Sequence, residues 1–381
     1  MNLTRFSVLA AAIGMMSYIS CASSEPDGRH DARPPVRETG KSDLILSDYG
    51  KVAGVTGNPD VIRSGIPCPN ETDSRWNVGG TDLGIIWEIS PGTYGLFFGD
   101  TYGADFRPVT GGGPGAASDW RSNVLAFSSD TDLDDGLSFD GMLTDGSDPD
   151  RAVEIIPRTG DRLFTSIPTA AVSLDGKQYV HYMYWQVGRD YDPLNYSSIY
   201  SSEDGGRTWT SCRDRIEFGN DSNFGMVGYA KKDGWCYMIG THIGRSGSAY
   251  LARFRYGDIL DKSSYEFWNG TDGKWVKGDE KAATVLIDGT VGELSFVWLE
   301  EYGMWLVLYF DSEEYAICYR SAEEITGPWS VERVLVSGSE YSQLYGSYIH
   351  PHIEGNAIYY TMSQWVPYNV FLMKAGVSVL L

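Results

Sequence analysis

The sequence is short of basic residues. Its 381 residues include 30 Lys and Arg against 51 Asp and Glu, so the formal net charge at pH 7 is -21. Nucleic acids and anionic lipid surfaces are bound through clustered Lys and Arg side chains, and this balance argues against both as partners. Neutral or cationic molecules are the remaining class of ligand.

Cysteine is also scarce, with five residues in the chain. The four that follow Cys21 are widely spaced and contain no CxxC pair, which argues against a zinc site. Two alternatives stay open for them, either buried free thiols or one or two disulfides. These residues are Cys68, Cys212, Cys236 and Cys318.

The signatures of common cofactor and metal sites are missing as well. The glycines at 111–113 are not followed by Lys-Ser or Lys-Thr, so the sequence has no phosphate loop there. The acidic run at 130–136 has Asp where a calcium loop needs its turn glycine, and it lacks the closing Glu. His350 and His352 could bind a metal from one strand face, but no Asp, Glu or Cys stands at a defining spacing. We therefore expect neither a cofactor nor a metal.

The first 21 residues predict a secretory signal peptide. One positive charge precedes an apolar run from Phe6 to Met16, which is too short to span a membrane. Cys21 resembles the lipid-modified cysteine of bacterial lipoproteins, although Tyr18 replaces the Leu that usually stands three residues before it. We expect export, either as a secreted protein or tethered to the cell envelope through Cys21, with residues 22–41 as a linker.

From residue 42 to 381 the sequence predicts an all-β domain. Short runs rich in Val, Ile, Tyr, Phe and Trp alternate with Gly, Asp, Asn and Pro. The runs form groups at intervals of roughly 50 to 65 residues, the scale of four-stranded propeller blades. The last group has only three strands, so we expect an N-terminal segment at 42–47 to supply the fourth and close the ring. The prediction is a five-bladed β-propeller with four-stranded antiparallel blades.

One local motif supports this architecture independently. Residues Ser202 to Trp209 match the Asp-box pattern Ser-x-Asp-x-Gly-x-Thr-Trp, which is found on the outer hairpins of sialidase-like and related propellers. Asp204 is expected to cap backbone N–H groups of the turn, and Trp209 to pack between sheets. The predicted role of the motif is therefore structural.

Two acids stand at the outer ends of one predicted hairpin, Asp82 before its first apolar run and Asp100 after its second. A three-residue loop would pair Ile89 with Thr93 and place the acids directly opposite each other, whereas a two-residue loop would turn them to opposite faces. In both registers they lie at one end of a blade, near the axial opening where propellers bind ligands. Two neighbouring carboxyl groups can share one proton, as glycoside hydrolysis requires. The alternative is that both acids only cap turns.

Further polar and aromatic residues occupy comparable strand starts and ends. We predict that they contact the substrate by hydrogen bonding or stacking, and a packed or solvated structural role is the alternative for each. Glu293 is in addition a candidate third acid. The residues are Asn123, Trp185, Asn223, Glu293, His350, Gln364 and Trp365.

Several of these motifs together resemble one family. The motifs are Thr81-Asp-Leu-Gly, Phe98-Gly-Asp-Thr-Tyr, Arg121-Ser-Asn-Val, Gly292-Glu-Leu-Ser, Tyr348-Ile-His-Pro, Ser363-Gln-Trp and Tyr368-Asn. They are similar to those of the DUF4185 family, part of which is classed as glycoside hydrolase family 183, and the likeness extends over about residues 43 to 381. The resemblance implies a five-bladed propeller and an endo-D-arabinofuranase that acts on the D-arabinan of mycobacterial arabinogalactan and lipoarabinomannan. It also implies that Asp82 and Asp100 are the catalytic aspartates.

The leading hypothesis is an exported, monomeric glycoside hydrolase that cleaves internal α-D-arabinofuranosyl linkages with Asp82 and Asp100. One alternative is a surface glycan-binding propeller without turnover. Another is a propeller glycosidase for a different furanoside such as L-arabinan, with Glu293 as the acid. The sequence does not decide which of the two aspartates donates the proton.

Overall fold

The computed structural model describes residues 36–37, 43–58, 65–108, 117–158, 164–186, 188–353 and 355–380. The predicted signal peptide at 1–21 lies outside these ranges. The predicted linker at 22–41 also lies outside them, except for Val36–Arg37, which form a two-residue strand. None of the helices in the described part of the chain combines the length and the apolar character needed to span a bilayer.

The described residues are predominantly β-structure. The helical elements are short, namely α1 (Thr72–Trp76) and three 3₁₀ turns at Tyr256–Asp258, Lys262–Ser264 and Glu280–Ala282. The strands are β1 (Val36–Arg37), β2 (Leu44–Gly54), β3 (Leu83–Ser90), β4 (Thr93–Phe98), β5 (Thr101–Tyr102), β6 (Trp120–Arg121), β7 (Val124–Ser128), β8 (Gly141–Met142), β9 (Thr144–Asp145), β10 (Asp148–Ala152), β11 (Phe164–Leu174), β12 (Lys177–Gln186), β13 (Tyr196–Ser202), β14 (Thr210–Ser211), β15 (Glu217–Gly219), β16 (Met226–Lys232), β17 (Trp235–Thr241), β18 (Gly247–Arg255), β19 (Glu266–Asn269), β20 (Lys274–Lys277), β21 (Val285–Leu299), β22 (Met304–Asp311), β23 (Ala316–Ala322), β24 (Trp329–Ser330), β25 (Arg333–Ser337), β26 (Leu344–Ile349), β27 (Ala357–Gln364) and β28 (Asn369–Val379).

Antiparallel pairing builds the main sheets. One has the strand order β3-β4-β7-β8, and a second has β11-β12-β13-β14 with β15 also on β13. A third has β16-β17-β18-β21-β22-β23-β25, with β19 on β18 and β20 on β19. The fourth has β2-β28-β27-β26. Three further pairs are small, β5 with β6, β9 with β10, and the parallel pair of β1 with β24.

The largest sheet joins two groups that the sequence predicts as separate blades. The first part of β21 pairs with β18, where Val285 lies opposite Tyr250. Beyond a register shift between Val291 and Leu294, the second part pairs with β22. Because a bulge bends a strand, β21 serves as the last strand of one four-stranded group and the first strand of the next.

β2 runs antiparallel to β28, so an N-terminal and a C-terminal strand share one sheet. Leu44 pairs with Val379 and Gly54 with Phe371. Leu44 and Ala53 are completely buried. The sequence predicts that an N-terminal segment supplies the fourth strand of the last group. The pairing of β2 with β28 confirms that prediction.

Five strands contact one another in a cycle. β3 lies against β11, β11 against β16, β16 against β21, β21 against β26, and β26 against β3. Every residue of β26 is buried, as are most residues of β11. A strand that is covered on both faces needs apolar or small side chains on both, so these segments are almost continuous buried runs.

The Asp-box turn has both predicted roles. Oδ1 of Asp204 accepts hydrogen bonds from the backbone N–H groups of Arg207 at 3.0 Å and Thr208 at 2.9 Å. The ring of Trp209 packs edge-on against Phe97 of the neighbouring sheet, with 5.3 Å between ring centres. The motif therefore closes an outer hairpin and fills the space between two sheets.

The four cysteines beyond Cys21 are buried free thiols. Of the two alternatives that the sequence leaves open, the structure therefore has the one without disulfides among the described residues. Cys21 lies outside the described residues.

We predict that β2 is needed for cooperative folding. A chain that begins at Val55 leaves one edge of β28 unpaired and removes the buried side chains of β2, so we expect it to lose the cooperative thermal transition followed by circular dichroism. A chain that begins at Ser42 keeps β2 and is the control, with an unfolding midpoint close to that of the full chain. Equal midpoints for the two shortened chains would contradict the prediction.

Candidate active site

The predicted hairpin between the two acids exists as β3 and β4, and it has the shorter of the two loops that the sequence leaves open. Ser90 pairs with Thr93 across a two-residue turn. The three-residue loop, which would have paired Ile89 with Thr93, is therefore the alternative that does not occur. Ile89 is instead an extra residue of β3 at a register shift, and such a bulge moves the pairing by one residue.

A second register shift, at Gly84, decides where Asp82 lies. Beyond it, the backbone N–H of Gly99 donates to the carbonyl of Asp82 at 3.1 Å. Asp82 thus stands opposite Gly99, so the direct opposition of Asp82 and Asp100 that a three-residue loop would have given does not occur. Together the two bulges shift the pairing of β3 with β4 away from the register of a regular hairpin.

The backbone at the second bulge is held in an uncommon conformation. Leu83 has a φ of 70° and Gly84 a φ of 82°, and a leucine rarely adopts this left-handed region. The N–H of Leu83 donates to Ser363 Oγ at 2.8 Å, and Thr361 Oγ1 donates to the Gly84 carbonyl at 2.8 Å. A Cβ at Gly84 would lie 2.9 Å from a methyl group of Val370. Strain of this kind persists where surrounding groups fix it, and it concentrates at functional sites.

Asp82 is buried, with 7% of its surface exposed. Its Oδ2 accepts hydrogen bonds from the hydroxyl groups of Tyr345 at 2.9 Å and Tyr368 at 3.1 Å. Its Oδ1 has no hydrogen-bond partner among the described residues. This oxygen lies close to the backbone of Gly99, since a Cβ added to Gly99 would collide with it. One oxygen of Asp82 is therefore fixed by the protein, while the other is buried without a hydrogen-bond partner among the described residues.

Asp100 is equally buried, with 7% of its surface exposed. Its Oδ1 accepts a hydrogen bond of 2.6 Å from the hydroxyl group of Thr165 in β11. Asp82 and Asp100 come from the β3–β4 hairpin, Thr165 from the next sheet, and Tyr345 and Tyr368 from the sheet that contains β26. The site is therefore assembled from three sheets.

Both acids have raised pKa values. Burial raises the pKa of Asp82 to about 7, and the hydrogen bonds from Tyr345 and Tyr368 oppose part of that rise. Burial, and then the negative charge of Asp82, raise the pKa of Asp100 to about 8. Two neighbouring carboxyl groups cannot both ionise without repulsion. Near neutral pH the pair therefore favours one carboxylate and one carboxylic acid.

Glu293, the predicted third acid, is buried and paired with Arg245. Nε and Nη2 of Arg245 both donate to Oε1 of Glu293, at 3.0 and 2.5 Å. The guanidinium carbon lies 4.9 Å from the ring centre of Tyr345, the tyrosine that binds Asp82. Because its carboxylate is already the acceptor of a strong two-point interaction, Glu293 is better suited to holding Arg245 than to donating a proton.

Two of the predicted aromatic residues lie beside the acids. Trp185 in β12 pairs with Thr165, whose hydroxyl group binds Asp100. The ring of Trp365 packs against Tyr368 with 5.4 Å between ring centres. Both tryptophans are half-buried, and their contact with the substrate stays a prediction.

The three predicted amide residues differ in their surroundings. Asn123 is completely buried, and its amide makes four hydrogen bonds, all to backbone groups. Gln364 donates to the carbonyl of Ser342 at 2.8 Å and accepts from Lys51. Both amides are used within the protein, which favours the structural alternative for them. Asn223 is half-buried just before β16, and its contact with substrate stays a prediction.

His350 does not lie with the acids, and its surroundings favour the structural alternative for it. Tyr345 is at the start of β26 and His350 follows its end, a separation of roughly 16 Å at about 3.3 Å per residue. The ring of His350 instead packs against Tyr94 with 4.5 Å between centres, and burial lowers its pKa to about 3. Within the described residues, no group of three His, Cys, Asp or Glu side chains is arranged to hold a metal ion.

The partners of the two acids are the residues that sequence reasoning misses. They are Thr165, Tyr345 and Tyr368, and sequence reasoning also misses Arg245, the partner of Glu293. The two tyrosines lie 263 and 286 residues from Asp82 in the sequence, so no local pattern connects them with it. Tyr368 alone stands in a motif that contributes to the family resemblance. That motif is the one feature of the sequence that could have identified any of these residues as part of the site.

The raised pKa values predict how stability depends on pH. A carboxyl group whose pKa is higher in the folded than in the unfolded chain stabilises the fold at low pH and loses that contribution as the pH rises through its folded pKa. We therefore expect Asp100→Asn to raise the free energy of unfolding relative to the wild type at pH 8, by a few kcal/mol at about 1.4 kcal/mol per pKa unit. At pH 4 the two proteins should be nearly equal in urea titrations.

Asp204→Asn is the matched control for that experiment, because its pKa is shifted in the other direction. The hydrogen bonds from Thr208 lower the pKa of Asp204 to about 2. The stability that Asp204 contributes is present above the unfolded pKa and is lost as the pH falls, so this variant should be less stable than the wild type at pH 8. A destabilising effect of Asp100→Asn at pH 8 would contradict the assignment of a protonated Asp100.

Comparisons with known proteins give a family, a relative in sequence and a solved structure of similar fold. The family model described as "Domain of unknown function (DUF4185)" matches residues 67–374. Notoamide biosynthesis cluster protein J of Aspergillus sp. (strain MF297-2) is 30% identical over 347 residues, covering 84% of this chain and 89% of that protein. A crystal structure named "putative hydrolase" from Bacteroides ovatus ATCC 8483 has a TM-score of 0.55 and 12% identity over 80% of this chain and 87% of that chain. The family match extends over most of the chain, which therefore belongs to the DUF4185 family.

Proposed function

We propose that the protein is an exported endo-D-arabinofuranase that cleaves internal α-D-arabinofuranosyl linkages of D-arabinan with Asp82 and Asp100. Membership of DUF4185 supports a glycoside hydrolase reaction, since part of that family is classed as glycoside hydrolase family 183. Both acid motifs of the resemblance are intact, Thr-Asp-Leu-Gly at 81–84 and Gly-Asp-Thr at 99–101. A net charge of -21 suits a neutral polymer better than an anionic one.

The observation that carries the proposal is the difference between the two buried acids. Asp82 has two hydroxyl donors on one oxygen and none from the described residues on the other. Such donors stabilise a carboxylate, so we assign Asp82 the ionised role, as nucleophile or general base. Asp100 receives one hydroxyl donor and the repulsion of Asp82, and we assign it the role of proton donor to the leaving oxygen.

The five-bladed propeller is part of the same proposal. It is supported by the cycle of β3, β11, β16, β21 and β26, in which each strand is the first of a four-stranded group. In this arrangement the starts of the innermost strands surround the axial opening. The acids, Thr165 and Tyr345 all stand at such starts or beside them, as a ligand site in a propeller would require.

A second candidate function is saccharide binding without turnover. The observation in its favour is the depth of both carboxyl groups, each 7% exposed, which limits the approach of a glycosidic oxygen. A third, a glycosidase for another furanoside with Glu293 as the acid, is less favoured because Glu293 is paired with Arg245. Product analysis on different arabinans distinguishes the three.

We predict that the wild-type protein releases oligosaccharides from mycobacterial D-arabinan, and that Asp82→Asn and Asp100→Asn each reduce the rate at least about a thousandfold. The physical reason is that each variant removes one half of the acid pair. Product chromatography is the measurement. Asp134→Asn, at an exposed acid paired with Lys374, is the control and should keep full activity.

The outcomes separate the candidate functions. Oligosaccharides from L-arabinan but not from D-arabinan would favour the third candidate. Retention on immobilised D-arabinan without any product would favour binding alone. Full activity in either folded Asp variant would remove that residue from the catalytic pair.

The pH profile tests which acid is ionised. Replacing Tyr345 and Tyr368 together by Phe removes both donors from Asp82, so its pKa should rise further and the acidic limb of kcat/KM should move up by roughly one pH unit. Tyr360→Phe is the matched control, because the hydroxyl group of Tyr360 is buried without a partner among the described residues. An acidic limb that stays in place in the folded double variant would contradict the role of Asp82.

A further inference from the structure

Two connections lie side by side at the end of the molecule that contains the acids. One is the described segment 188–195 after β12, and the other is the segment 242–246 after β17. They touch in two places. A Cβ on Gly244 would lie 2.7 Å from the carboxylate of Asp190, and the ring of Tyr191 stacks on His242 with 4.5 Å between centres and 25° between planes.

This contact presents an apolar surface to solvent. Tyr191 is 70% exposed and Leu194 is 64% exposed, the two largest values for large apolar side chains among the described residues. We call Tyr191 and Leu194, with His242 beneath the tyrosine ring, the Tyr191 platform. Both exposed side chains belong to the one short connection 188–195, and exposed apolar surface is a candidate for contact with a ligand.

The segment that carries the platform is fixed by hydrogen bonds. Nε1 of Trp185 donates to Asp190 at 3.0 Å. The side chain of Asn195 donates to the carbonyl of Arg189 at 2.6 Å and accepts from the N–H of Gln186 at 2.8 Å. A ring that is already ordered loses little conformational entropy when a ligand stacks on it.

The ring beneath Tyr191 is fixed as well. Both ring nitrogens of His242 lie 2.6 Å from backbone carbonyl oxygens, those of Ile243 and Asn220. One face of the Tyr191 ring is therefore covered by the ring of His242, whose position is fixed, and the other face is open.

Two chains of contacts connect the platform to the acids. On one side, Trp185 binds Asp190 and pairs with Thr165, which donates to Asp100. On the other side, the connection that begins with His242 also contains Arg245, whose guanidinium group lies over Tyr345, the donor to Asp82. The side chain of Arg245 is 32% exposed although two of its nitrogens bind Glu293. The platform and the acids are thus joined through the side chains between them.

We propose that the Tyr191 platform is a saccharide subsite that binds a sugar unit of the substrate chain away from the bond that is cut. This inference rests on the proposed function, since it names a second contact for the same polymer. The open face of Tyr191 stacks on the C–H face of a sugar ring, Leu194 covers its edge, and the exposed part of Arg245 donates to hydroxyl groups between the platform and the acids. An endo-acting enzyme needs contacts of this kind to hold an internal stretch of polymer.

The test compares Tyr191→Ala with the wild type on D-arabinan polymer and on a short arabinofuranosyl substrate that occupies only the cleavage site. We expect KM for the polymer to rise roughly tenfold with kcat unchanged, and the short substrate to be turned over as before. Tyr191→Phe keeps the ring and should restore the wild-type KM. Val334→Ala, at an exposed apolar residue of the outer strand β25, is the control and should change nothing.

Affinity electrophoresis in gels that contain D-arabinan separates failure of the subsite from failure of the proposed function. Wild-type cleavage together with an unchanged KM and unchanged gel retardation in Tyr191→Ala would overturn the subsite and leave the function standing. Retardation of the wild type but not of Tyr191→Ala, without any cleavage, would support the subsite while the catalytic proposal fails. A wild type that is not retarded by D-arabinan would overturn the subsite.

Discussion

Two buried carboxyl groups that lie close enough to interact lose their hydration and repel each other, and the surroundings of Asp82 and Asp100 follow from that constraint. Two tyrosine hydroxyl groups stabilise a charge on Asp82, and a single threonine hydroxyl group binds Asp100. The unequal donors make a single shared proton the favoured state of the pair. A glycoside hydrolase needs this state, with one acid to protonate the leaving oxygen and one carboxylate on the other side of the reaction.

The constraint also explains why the site depends on the whole fold. The hairpin supplies the acids, whereas Thr165 comes from the next sheet and both tyrosines come from the sheet in which β28 pairs with β2. The strained bulge at Leu83 and Gly84 is held by Ser363 and Thr361 of that same sheet. The positions of the acids are therefore set by tertiary contacts as much as by the hairpin itself.

These contacts mark the limit of what the sequence could predict. Alternating and apolar runs predicted the strands, the Asp-box pattern predicted the roles of Asp204 and Trp209, and the missing fourth strand predicted the pairing of β2 with β28. The register between Asp82 and Asp100 could not be predicted, because bulges at Ile89 and Gly84 arise from packing against other sheets. The surroundings of His350 could not be predicted either, because residue type alone does not tell at which end of a strand a side chain stands.

The most direct test of the shared proton is a titration of the two acids by NMR, with the aspartate carboxyl carbons labelled and assigned by Asp82→Asn and Asp100→Asn. We expect that two buried carboxyl carbons titrate near neutral pH, that the step at lower pH belongs to Asp82, and that removing either acid lowers the pKa of the other. Two carboxyl groups that both titrate below pH 5, independently of each other, would contradict the shared proton on which the proposed mechanism depends.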